Sequence, residues 1–410
     1  MRTKVTALGL AGTLALAACG SSAEPQGGPV TLRMTIWTGN EAHLKLFGDI
    51  AAAYRKTHPD VTVKYDTLPV ETYTTTLTTQ IAGGNTPDLA WIFENSAPDF
   101  VGSGALVPLD TLVKPEELAP STTRLWQKDG ALYAYPFSTS PFGVFVNTDL
   151  LKKAGQSVPA KGWTWEEAVK IASAVQEKTG KAGLVVRDFD YKGWDNLAAV
   201  WGGWGAEAWS EDGRTCGFDK PEMIEAMGFL HKAIFTGKAM PAPGTTADFF
   251  AGEAGMTITQ ISRASLLQDG AFGWDLVTLP TGPKGAYSVI GQAGIGVLKK
   301  SRNAEAAADF LAFFTNPENS AKLAQYFPPP RQPLLTADSL AKSNPLLKPE
   351  QLQDVVVDGI AAGRVKPSHT GQAELSQAVR AGLDQLWQPD ADVATVMKGV
   401  CAAIQPMLAK

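Results

Sequence analysis

The sequence predicts an α/β protein with two domains. Residues 30–93 read strand, helix, strand, helix, strand, an order that makes parallel strands with helices on both faces. The 410-residue chain, less an 18-residue leader, leaves 392 residues, too many for one small core. Hydrophobic residues make up 44% and charged residues 19%, an ordinary globular composition and not that of a disordered chain.

The leader comes first. Arg2 and Lys4 precede an uncharged run from Val5 to Ala18, a basic start followed by an apolar stretch. This pattern is that of a secretory signal peptide over residues 1–18. The run is shorter than the about 20 residues a membrane span needs. Leu16-Ala17-Ala18-Cys19 resembles a bacterial lipobox, in which the cysteine is diacylated and becomes the new N-terminus. Cys19 is therefore the expected lipidation site, and residues 19–29, rich in Ser, Gly and Pro, the tether. Without Arg2 and Lys4 the 36 basic side chains become 34 against 41 acidic ones, a formal charge of −7. No long basic run is present, so nucleic acid is not an expected partner.

"VTLRMTIW" (30–37) is rich in β formers and makes the first strand. Leu44, Phe47, Ile50, Ala51 and Tyr54 follow at helical spacing until "HPD" (58–60). "VTVKYD" (61–66) is a strand, residues 70–82 a helix ended by Gly83-Gly84-Asn85, and "DLAWIF" (88–93) a short buried strand. In such sheets ligands sit beyond the carboxyl ends of the strands. That rule singles out Thr38 to Glu41, Asp66, and Glu94 with Asn95. Further on, "YAYPFSTSPFGVFVN" (133–147) is a long extended stretch. "WTWEEAVKIASAVQEKTG" (163–180) is a helix that Thr164 can cap, with Glu167 three residues on and Gly180 at its end. Residues 220–238 are helical, "AGMTIT", "WDLVTLP" and "YSVIGQAGIGVLKK" are strands, and the chain from about Gln351 is largely helical.

Catalytic signatures are missing. The four histidines, His43, His58, His231 and His369, form no H-E-x-x-H pattern and none is near a cysteine, which argues against zinc. "GQAGIG" (291–296) places its glycines at one, four and six and precedes no helix, so it is not a dinucleotide fingerprint. "DFDYKG" (188–193) begins like a calcium loop, but Lys192 and Ala199 stand where ligands belong. No cofactor is expected. The acids offer many pairs and none that stands out for glycoside hydrolysis. After Cys19 only Cys216 and Cys401 remain, either one disulfide or two separate buried thiols.

One feature is aromatic. "WDNLAAVWGGWGAEAW" holds Trp194, Trp201, Trp204 and Trp209, with glycines at 202, 203 and 205 removing neighbouring bulk. Indole faces match the C–H faces of a pyranose. Trp194 and Trp204, ahead of Trp209, and Tyr191 just upstream are therefore candidate sugar platforms; the alternative is that they belong to the core.

"TLRMTIW", "GGNTPDLAWI", "ALYAYPFSTSPFGVFVNTDLLKKAG", "WTWEEAV", "AGMTIT", "WDLVTLPTGPKG" and "GQAGIGVLKKSRN" in this order, behind a lipoprotein signal, resemble the carbohydrate-type solute-binding proteins of bacterial ABC importers, the maltose-binding-protein kind. The resemblance spans the mature chain. It implies a two-lobed periplasmic-binding-protein fold with a ligand cleft between lobes joined by two to three hinge crossings. The lobes would be 30–138 with 281–316, and 139–280 with 317–410, placing Cys216 and Cys401 together in the second. It implies a carbohydrate ligand, permease subunits in the membrane as partners, a monomer, and no enzymatic activity. Carried over onto this sequence, the ligand contacts would be Asn40, Glu41, Glu94, Asn95, Ser138, Ser140, Tyr191 and Trp194, with Trp204, Gly291, Arg331 and His369 as further cleft candidates. Where the family often has an aromatic after the "MTI" strand, this chain has Ser262 and Arg263, a departure that leaves a sugar acid, a phosphate or a polar oligosaccharide open. An exported carbohydrate-active enzyme and a binder of a non-sugar solute such as a glycerophosphodiester are the alternatives.

Overall fold

The computed structural model describes residues 28–187, 193–242, 244–268 and 270–409. The leader, Cys19, Tyr191 and all of the calcium-like stretch except Gly193 lie outside the described residues.

The first half opens as the periodicity predicts: β1 (Val30–Ile36), α1 (Glu41–Arg55), β2 (Val61–Thr67), α2 (Tyr73–Ala82), β3 (Leu89–Phe93) and the short α3 (Ala97–Gly102). β1 pairs in parallel with both β2 and β3. The long extended stretch is one strand, β4 (Ala134–Asn147), followed by α4 (Trp165–Thr179), β5 (Ala182–Val186), α5 (Pro221–Phe235), β6 (Ala254–Gln260) and β7 (Trp274–Val277). The chain then returns through β8 (Val289–Val297), α6 (Ala304–Phe314), the two-residue β9 (Arg364–Val365), α7 (Gln372–Leu383) and α8 (Val393–Leu408). Among the described residues the main sheet runs β2-β1-β3-β8-β4-β6-β5, with β9 on β8 and β7 on β4.

Two hydrophobic cores divide this sheet. The first gathers Leu32, Met34, Phe47, Trp91, Phe137, Ile295, Phe310 and Phe327. The second gathers Phe142, Phe145, Trp165, Trp201, Met227, Leu230, Val289 and Ile404. β4 and β8 run from one core into the other, so the cores change over between Phe137 and Phe142 and between Val289 and Ala293. The second changeover lies beyond the Thr281 of the sequence reading. Thr281 itself hydrogen-bonds Trp163 and Trp165, and Tyr287 packs on the second core, so residues 281–287 go with that lobe. Leu323 and Phe327 belong to the first core, so the third changeover also lies beyond Asn316. Cys216 and Cys401 are disulfide-bonded, tying α8 to the second lobe's body.

Candidate functional site

Strand direction builds the site. β3 is antiparallel to β8, with Phe93 opposite Ala293, whereas β9 is parallel to it, with Val365 opposite Ile290. The carboxyl ends of β3, from the first lobe, and β9, from the second, therefore point at each other across Gly291 and Gln292. β6 ends with Gln260 opposite Phe142, beside the same crossing. Residues that follow strand ends converge here: Trp37 after β1, Glu94 to Ser96 after β3, Arg187 after β5, Ser262 and Arg263 after β6, Lys366 after β9. Together with Ser138, Ser140, Gly291 and residues of α2 and α7 they line a cavity of 670 Å³ between the lobes. That size is ordinary for a small-molecule site, where about 300–1,000 Å³ is typical.

Two kinds of wall face this space. Trp37 is half-buried and stacks on Phe93, with ring centroids 3.9 Å apart and planes 16° from parallel. Trp91 and Tyr73 brace Trp37 edge-on at 4.8 and 5.1 Å. The remaining wall is polar. Ser96 donates to Asn95 Oδ1 at 3.2 Å, and the Ser262 backbone N–H donates to Ser140 Oγ at 3.1 Å. Gly291 leaves room for the Gln260 amide, which a Cβ there would displace. At the floor Lys366 Nζ lies 2.8 Å from Glu94 Oε1 and 2.7 Å from Asp195 Oδ2. Burial alone would push the Asp195 carboxyl up, but the charge and hydrogen bond of Lys366, helped by Arg187, outweigh it and hold the acid below its ordinary range. Burial likewise opposes the Lys366 ammonium, yet Asp195 and Glu94 hold its pKa above the usual lysine value.

Of the sequence-derived candidates, Glu94, Asn95, Ser138, Ser140, Arg263 and Gly291 meet in this cavity. Asn40, Glu41, Trp194, Trp204, Arg331 and His369 do not, each for a local reason. Asn40 caps α1, accepting from the Ala42 and His43 amides, and Glu41 is exposed in the first helical turn. Arg331 is buried, bound to Glu117 at 2.7 Å and to the Thr315 carbonyl, and pins its loop to the first lobe. His369 hydrogen-bonds the Gly213 and Thr370 carbonyls. The tryptophan reading is corrected most. Trp194 is buried against Trp201, Trp209 and Phe218, and Trp204 against Trp165 and Phe229. The glycines between them serve packing: a Cβ on Gly202 would strike the Tyr287 ring at 2.7 Å, and one on Gly282 the Gly203 carbonyl at 2.2 Å. Trp209 is the partly exposed member, and lines a second cavity of 1010 Å³ between the lobes with Arg124, Glu207 and Arg364.

Sequence reasoning missed Trp37, Phe93, Arg187, Asp195 and Lys366 as site residues. Trp37 and Arg187 sit one residue past β1 and β5, so the strand-end rule could have found both. Lys366 follows a strand of two residues that leaves no periodic signal.

Two α/β lobes, strands crossing between two cores and a cavity lined from both sides define a protein that takes a solute between its lobes. The chain belongs to the family of bacterial extracellular solute-binding proteins, whose model matches residues 41–321. It is similar to the arabinooligosaccharide-binding protein of Halalkalibacterium halodurans, 26% identical over 68% of this chain and 66% of that protein. The sn-glycerol-3-phosphate-binding periplasmic protein of Salmonella typhimurium is also 26% identical, over 78% of this chain and 77% of that one. In fold it matches the cyclic α-maltosyl-1,6-maltose binding protein of Arthrobacter globiformis with a TM-score of 0.80 and 19% identity, over 93% of this chain and 100% of that one. The protein is thus an extracytoplasmic solute-binding protein of the ABC-transporter type.

Proposed function

We propose that this protein is the lipid-anchored substrate-binding subunit of a carbohydrate importer, not an enzyme, and that it captures a neutral di- or oligosaccharide between its lobes for delivery to the membrane permease. The observation that carries this reading is the combination of an aromatic wall with a charge-balanced lining. Among the described lining residues, four carboxylates (Glu71, Glu94, Asp99 and Asp195) face four cations (Arg187, Arg263, Lys366 and Arg380). Lys366 is already bound by two of the acids. A phosphodiester is an anion that an arginine or lysine would pair with, and by formal count the four cations of this cavity are already balanced by four carboxylates. A sugar ring offers an apolar C–H face to Trp37 and hydroxyls that donate to and accept from the mixed polar wall. Arg263, 5.8 Å above the Phe250 ring, is part of that wall.

Thermal-shift screening of the mature protein against neutral oligosaccharides, sugar acids and glycerophosphodiesters tests the reading. Stabilisation by a neutral sugar alone is expected. Stabilisation by a phosphodiester alone would overturn it, and turnover of an oligosaccharide would favour the exported enzyme. Anchoring follows from the lipobox: Cys19→Ser is expected to release the protein from membranes, and a mutant still in the membrane fraction would refute the anchor.

A further inference from the structure

The Glu94–Lys366 contact spans the two lobes. Glu94 belongs to the first lobe and Lys366 to the second, and the head-to-head approach of β3 and β9 brings them together. Their side chains are only 7% and 5% exposed. The ammonium has further partners in its own lobe, Asp195 Oδ2 at 2.7 Å and Asn196 Oδ1 at 3.2 Å. Of the other polar contacts between the lobes, Ser121 Oγ donates to the Ile360 carbonyl at 2.8 Å at a part-buried position, and two more are exposed. Arg124 pairs with Glu211 where the side chains are 75% and 81% exposed, and the Gly371 amide donates to Asp99 Oδ1 at 2.8 Å at an exposed position. Exposed pairs of this sort add little.

We infer that the Glu94–Lys366 pair is the latch that holds the lobes together, and that Glu94 is a positioning residue acting on the solute through lobe geometry. The partners are distributed asymmetrically. When the lobes part, Lys366 keeps Asp195 and Asn196, so no unpaired cation stays behind in a dry site. Glu94 is released to water, where a lone carboxylate is well solvated. A buried pair that could not rehydrate on opening would lock the protein shut. This pair can form and break at modest cost, so it biases the equilibrium between open and closed lobes without fixing it. A group that shifts this equilibrium changes the apparent affinity for every solute by one common factor.

The inference rests on the binding reading above only for its affinity arm. Small-angle scattering of the ligand-free protein forms the other arm. Glu94→Gln keeps the shape and removes the charge, and Glu94→Asp keeps the charge on a shorter stem. In Glu94→Gln the lobes are expected to part, raising the radius of gyration, at an unchanged melting temperature. Affinity for the members of a malto- and arabino-oligosaccharide series that bind the wild type is expected to fall by the same factor, about tenfold. Glu94→Asp should recover part of both effects. A wild-type radius of gyration in Glu94→Gln would overturn the latch. So would an affinity loss that differs from one sugar to another, which marks Glu94 as a direct contact. If no sugar binds the wild type, the carbohydrate reading fails, and scattering alone still decides the latch.

Discussion

His43 sits in α1 with its ring against Tyr326 and Phe327, centroids 4.6 and 4.9 Å away, and Thr38 Oγ1 3.0 Å from Nδ1. Burial holds the imidazole pKa down to about 4, from an ordinary 6.5, and its Nε2 is buried with no partner. The unfolded chain takes up a proton below pH 6.5 that the folded chain refuses. The stabilisation from the neutral ring is therefore complete above pH 6.5 and lost as pH falls from there to about 4. Melting temperatures across that window are expected to fall less steeply in His43→Leu than in the wild type. Equal slopes would remove His43 as a cause. Trp37 and Trp194 give a second contrast at this scale. Losing Trp37 should weaken sugar affinity by about 2 kcal/mol, roughly thirtyfold, in the range of aromatic hot spots. Trp194→Ala should instead cost about 3–5 kcal/mol of stability, as for a buried aromatic. Calorimetric affinity and melting temperature measured together on both variants separate the two roles, and wild-type affinity in Trp37→Ala would sink the stacking wall. The indoles also show why single site residues were hard to read. A Gly-rich Trp cluster has one composition whether a sugar or Tyr287 fills the space beside it. Only three-dimensional neighbours tell these apart.

Elements were more legible than residues, because their signals are local. In α4, Thr164 Oγ1 accepts from the Glu167 amide while Glu167 Oε2 accepts from the Thr164 amide, and Gly180 takes φ 68° at the C-cap. Capping and periodicity alone set that helix, and the sequence carries both. Thr164→Ala is expected to cost about 1 kcal/mol, measurable as a shift of the denaturation midpoint, and no shift would show the cap to be idle. β9 is the opposite case. Two residues have no period, and their position on β8 is decided by chain more than 60 residues distant. Yet β9 aims Lys366 into the cavity. The disulfide was open on sequence because cysteine spacing does not report proximity. Its loop spans 185 residues, for which chain-entropy arguments give about 5 kcal/mol. Reductant should lower the melting temperature. Two thiols that alkylate freely without reductant would show the bridge to be absent in solution.

At the scale of the molecule, β4 and β8 make each lobe's sheet depend on the other. Residues Ala134 to Pro141 on β4 pair with β8, with one register shift between Ala293 and Ile295, and the next residues, Phe142 to Asn147, pair with β6 and β7. The expected alternation of lobes along the chain came from the family resemblance of the ordered segments, and loops such as 281–287 carry no signal of which core they cover. A solute that touches one lobe has no reason to favour the closed arrangement, since only differential affinity shifts an equilibrium. Here the lining comes from both lobes, with Trp37, Phe93 and Asn95 on one side and Ser262, Arg263 and Lys366 on the other. Filling the cavity is therefore expected to close the lobes and to stabilise the whole chain. At 100 times its dissociation constant a solute should add about 2.7 kcal/mol. The radius of gyration should fall with solute concentration at the midpoint that calorimetry gives for binding, because one event produces both signals. A solute that binds at full affinity and leaves the radius of gyration of an open wild-type protein unchanged would mean that one lobe holds it alone, and capture by closure would have to be abandoned.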